Sequence, residues 1–75
     1  MKPEKLTRMA NQIATFMAVK PHQEAVEGIA AHISDYWEPR MREALFELSA
    51  QGGADLSPLV KEAVAYIRKP QVFNP

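Results

Sequence analysis

The sequence has no cysteine, which excludes a disulfide framework. It also leaves only His22 and His32 as nitrogen ligands, so a structural zinc site is close to excluded. There is no long apolar run. The longest near the N-terminus, Ile13 to Val19, is interrupted by Thr15. A helical membrane span needs about 20 apolar residues, so none is expected. The Lys20-Pro21-His22-Gln23-Glu24 stretch that follows lacks the small residues of a signal-peptide cleavage site, and a cytoplasmic protein is expected. There is no net charge either: nine Lys and Arg face nine Asp and Glu. That balance argues against nucleic-acid binding, which runs on surplus cations.

What remains is a chain of 75 residues, enough for one domain. At this size a single core supplies only about 3–5 kcal/mol. With disulfides excluded and zinc nearly so, association with another chain is the expected source of further stability. The charges are unevenly spread. Residues 1–20 carry a basic surplus of three, residues 21–57 an acidic surplus of five, and residues 58–75 a basic surplus of two. A mixed solvated surface accounts for most of these charges. A two-signed docking surface is the functional alternative.

Four prolines, Pro3, Pro21, Pro39 and Pro58, each precede an amphipathic stretch. Proline suits the first helical position, and it forces the residue before it out of the helical region. Leu6, Met9, Ala10, Ile13, Phe16 and Met17 follow the helical i, i+3, i+4, i+7 spacing. So do Val26, Ile29, Ala30, Ile33, Tyr36 and Trp37. Met41, Ala44, Leu45 and Leu48 form a third stripe, and Val60, Ala63, Val64 and Ile67 a fourth. Gly52-Gly53 supplies a helix stop and Ser57 an N-cap. No period of two appears. The fold class expected is all-α: a small four-helix domain with helices at about 3–19, 21–37, 39–51 and 58–68. Residues 1–68 form the helical domain and residues 69–75, with two prolines, a C-terminal tail. Phe46 and Tyr66 fall outside the main stripes. Core widening is the plainer expectation for each, and a partner contact the sharper one.

Catalytic chemistry finds little support. His32 precedes Asp35 and Tyr36 at helical i+3 and i+4 spacing, which would bring the three together. A surface histidine on the flank of the apolar face is the favoured reading, because so small a helical domain rarely encloses a pocket. Gly52-Gly53-Ala54-Asp55 lacks the Gly-Lys-Ser/Thr of a phosphate loop. The richest segment is Tyr36-Trp37-Glu38-Pro39-Arg40-Met41-Arg42. It joins two aromatics to two arginines, the residue types enriched at interface hot spots. Arginine at a helix N-terminus opposes the macrodipole, so something must offset Arg40 and Arg42: local acids or a partner's carboxylates. Trp37 plugging the end of the bundle is the structural alternative.

Several strings together carry a family resemblance. They are Leu6, Met9-Ala10-Asn11-Gln12-Ile13 and Phe16; Ile29-Ala30 with His32-Ile33; and Trp37 with Pro39-Arg40-Met41-Arg42. Gly52-Gly53, Leu56, Pro58-Leu59-Val60 and Ala63 complete the set. Over about residues 3–65 the chain resembles the delta subunit of soluble, NAD-dependent, molybdenum-containing formate dehydrogenases. It departs at Met17, where a second aromatic is common, and at Ser49-Ala50-Gln51, which replaces a His-containing lead-in. The resemblance implies a non-catalytic accessory subunit. The molybdenum cofactor, iron–sulfur clusters and flavin belong to other chains of the complex. It implies no catalytic, cofactor or metal residue here, and a partner in the catalytic subunit. Asn11, Trp37, Pro39, Arg40 and Arg42 are the expected partner-binding residues. A stand-alone helical homo-oligomer with a structural or regulatory role is the alternative.

Overall fold

A computed structural model describes residues 2–69. Its helices are α1 (Pro3–Met17), α2 (His22–Tyr36), α3 (Pro39–Ala50) and α4 (Pro58–Ala63), the last continued by a 3-10 turn over Val64–Tyr66. No strand occurs among the described residues, and the all-α expectation is met. The expected tail at 69–75 lies outside the described residues, apart from Lys69.

Three helices, α1, α3 and α4, open with proline in the first turn. Pro21 differs from the expectation of a first helical residue. It is the N-cap of α2, with ψ 150°, and its carbonyl accepts from the Ala25 N–H at 2.9 Å. Lys20 must avoid the helical region before that proline, so α1 unwinds after Met17 instead of reaching residue 19. A Lys20 N–H to Met17 carbonyl bond closes the turn. Trp37 also leaves the helix: its φ of −85° and ψ of 136° are extended. The largest shortfall is at α4, expected to reach residue 68. The Ile67 N–H bonds back three residues to Val64, and the Arg68 N–H is taken by Ser34 Oγ at 2.9 Å. The side chain on α2 thus competes successfully with the helical ladder and turns the chain out.

α3 ends in a Schellman motif. The Gly53 N–H donates to the Leu48 carbonyl at 2.9 Å and the Gly52 N–H to the Ser49 carbonyl at 3.1 Å. Both glycines have positive φ, 107° and 56°. A Cβ on Gly53 would lie 3.1 Å from Leu56 Cδ1 and 3.3 Å from Lys61 Cε. Gly53→Ala is expected to cost about 1–2 kcal/mol through its left-handed φ alone. A urea titration followed by circular dichroism reads the shift in midpoint; an unchanged midpoint contradicts this account of the turn.

Leu6, Val26, Ile29, Ile33, Trp37, Leu45, Leu56, Val60 and Ile67 form the centre of the core. The other five buried apolar residues are alanines: Ala10, Ala14, Ala25, Ala30 and Ala63. Alanine lets helices approach closely but buries little area, so the core is thin for its residue count. Gly28 adds to this close approach, since a Cβ there would lie 3.0 Å from Met17 Sδ on α1. Phe46 is half-buried against the core, as core widening predicts. Tyr66 stays 58% exposed.

Candidate functional site

The segment from the end of α2 to the start of α3 is built around Arg42. This residue is 8% exposed, the one charged residue buried among the described residues. Its Nη1 donates to the Ser34 carbonyl at 3.0 Å and to the Trp37 carbonyl at 3.2 Å. A helix leaves its last carbonyls without partners and carries partial negative charge there. Nothing in the last turn of α2 is basic. Arg42 therefore serves as a C-terminal cap delivered from the next helix. The electrostatic cost of an arginine in the first turn of α3 is offset by the negative end of α2, where local acids or a partner's carboxylates were the expectation.

Arg68 reaches the same helix end from the far side of the sequence. Its Nη2 donates to the Ser34 carbonyl at 2.9 Å. Two guanidinium groups thus share one carbonyl oxygen. Arg42 Nε is buried and has no hydrogen-bond partner among the described residues. Trp37 is 6% exposed and belongs to the core. Pro39 and Arg40 are exposed, and no ion pair involves Arg40 among the described residues. Tyr36 is 75% exposed and its ring lies 4.8 Å from that of His32, tilted by 36°. The exposed side chains at this end of the molecule include Tyr36, Pro39 and Arg40, with the acids Asp35 and Glu38 beside them.

Asn11 stands elsewhere, on α1. Its Nδ2 donates to the Asp55 carbonyl at 2.8 Å, and its Oδ1 accepts from the Ser57 N–H at 2.8 Å. The amide acts as a substitute backbone strand, fixing the loop that launches α4. Ser57 completes the start of that helix by accepting from the Leu59 N–H at 3.2 Å, the expected N-cap. Asn11→Asp replaces the donor with an acceptor facing the Asp55 carbonyl. It is expected to lower stability by about 1–3 kcal/mol. Asn11→Ala should cost less, since it leaves two unmet backbone groups but no repulsion. Equal stability of Asn11→Asp and wild type in thermal melts contradicts the clamp.

The five candidate residues are thus not one patch. Trp37, Pro39, Arg40 and Arg42 share a turn, of which Pro39 and Arg40 face solvent. Asn11 works on the α3–α4 loop. Sequence reading missed Ser34 and Arg68, which are 34 positions apart and carry no local pattern linking them. It also missed the exposed His22–Glu62 pair, at 2.9 Å, which joins the start of α2 to the end of α4.

The remaining chemistry is sparse. His32 is exposed, its ring lies beside that of Tyr36, and it forms no ion pair with Asp35 among the described residues. Among the described residues no group of three His, Cys, Asp or Glu side chains could hold a metal ion. A groove beside α1, lined by Arg8, Asn11, Gln12, Thr15, Leu48 and Asp55, is open to solvent rather than enclosed. No helix among the described residues is long and apolar enough to cross a membrane.

Comparison with curated proteins gives no match. A family model, described as the NADH-dependent formate dehydrogenase delta subunit FdsD, matches residues 5–64. The matched span contains Asn11, the Trp37–Arg42 turn, the paired glycines and Ser57, and stops before the Arg68 contact. The chain belongs to the delta-subunit family of NADH-dependent formate dehydrogenases.

Proposed function

We propose that the protein is a cytoplasmic, non-catalytic accessory subunit of formate dehydrogenase, which binds the molybdenum-containing catalytic subunit and supports assembly or stability of the complex. Membership of the delta-subunit family supports the enzyme context. The observation that carries the binding role is the contrast between core and surface. Among the described residues, five of the fourteen buried apolar positions are alanine. Meanwhile Phe16, Val19, Tyr36 and Tyr66 stand 58–89% exposed. A small domain with a thin core and large apolar groups in water gains stability when a partner covers them.

Of the candidate contacts, Pro39 and Arg40 meet the partner directly, flanked by Tyr36. Arg40 is free to form a bidentate pair with a carboxylate. Trp37 and Arg42 act from below by fixing the turn's shape, and Asn11 by fixing α4.

Co-expression of the other subunits with and without this chain tests the proposal. The expected result is less assembled, formate-oxidising complex when the chain is missing, with restoration on adding it back. Equal yield and activity in both preparations contradict an assembly or stability role.

A further inference from the structure

The segment after α4 is attached differently from the rest of the fold. Of the residues from Val64 to Lys69, only Ile67 is buried, at 4% exposure; Ala65, Tyr66, Arg68 and Lys69 are exposed and Val64 is half-buried. Beyond Val64, whose N–H still bonds to the Val60 carbonyl, the backbone leaves the α-helical ladder. The Ile67 N–H reaches the Val64 carbonyl at a long 3.3 Å, and the next N–H, of Arg68, bonds to Ser34 Oγ instead. The segment is held by the buried Ile67, by the half-buried Val64 packed against the core, and by two bonds from Arg68 to a single residue of α2, at 2.9 Å each. Local opening is cheapest where few apolar side chains and exposed hydrogen bonds hold the backbone.

We propose that Val64–Lys69 is a strap that opens as a unit while α1, α2 and α3 stay folded, with Ser34 as its fastening. In the closed state Arg68 shares the Ser34 carbonyl with Arg42. Opening leaves Arg42 as the cap of α2, so the helix end survives the loss of Arg68. It also withdraws Ile67 from the core and bares an apolar socket beside the negative end of α2. A partner presenting an aliphatic side chain next to a cation fits that vacated seat, which Ile67 and Arg68 fill in the closed state.

Residue-resolved amide hydrogen exchange on the full chain, at low and moderate urea, tests the strap. The expected result is that the Ile67 and Arg68 amides exchange on the order of a hundredfold faster than the Ile29 amide, with little dependence on urea. Ser34→Ala should speed Arg68 exchange by about a further tenfold and leave Ile29 unchanged. Exchange of Ile67 and Arg68 at the Ile29 rate, with the same urea dependence, overturns the proposal, as does a Ser34→Ala variant in which all three amides accelerate together.

Discussion

Arg42→Ala is expected to leave the protein without a cooperative thermal transition. The substitution strips the Trp37 carbonyl of its side-chain donor and leaves the Ser34 carbonyl to Arg68 alone. A hydrogen bond to a charged group contributes about 1.5–3 kcal/mol, and Arg42 makes two through one nitrogen. It also fills buried volume between α2 and α3, which the alanine vacates. A loss of about 3 kcal/mol or more consumes nearly all the stability that a core of this size supplies. Arg42→Lys keeps the charge and stem but offers a single ammonium group, and should recover part of the loss. Circular dichroism melts of the three proteins give the answer. A sharp transition near the wild-type temperature in Arg42→Ala refutes the capping role.

Trp37→Ala should be as damaging, by a different route. The ring is 6% exposed and packs in the same cluster as Leu45, Val60 and Ile67. Emptying an aromatic site costs about 3–5 kcal/mol when the surroundings cannot collapse. Trp37→Phe, which retains a ring, should fold and melt at a lower temperature than wild type. Dispersed amide resonances in a two-dimensional NMR spectrum of Trp37→Ala contradict this expectation.

These two residues show where sequence reading reached its limit. The Trp37-x-Pro39-Arg40-x-Arg42 pattern marks the important turn, and residue type alone points to a hot spot. Residue type does not distinguish an arginine that reaches outward from one that reaches back. That difference comes from the extended conformation of Trp37 and Glu38, which swings α3 so that Arg42 returns over the end of α2 while Arg40 stays in water. The local signals were easier. Proline at helix starts, glycine at the α3 stop and serine at the α4 cap act within a few residues, and each landed within about a turn. The long-range polar contacts were not legible. Asn11 to Ser57 and Ser34 to Arg68 join residues far apart in sequence through one or two hydrogen bonds, which leave no periodicity behind. The short α4 follows from the second of these, since an apolar stripe running to Ile67 cannot reveal that the next amide is claimed by another helix.

Arg40 separates folding from binding. It is exposed and unpaired among the described residues, so Arg40→Glu should change stability by no more than about 0.5 kcal/mol. Burying charge of the wrong sign against a partner carboxylate is a far larger penalty. The decisive measurement is capture of the purified catalytic subunit by this chain, comparing wild type with the Tyr36→Ala/Arg40→Glu double variant after both are shown to melt alike. Retention by the wild type and loss of at least about tenfold in affinity for the variant is the outcome the proposed docking turn requires. Equal capture by both proteins, or none by the wild type, would contradict it.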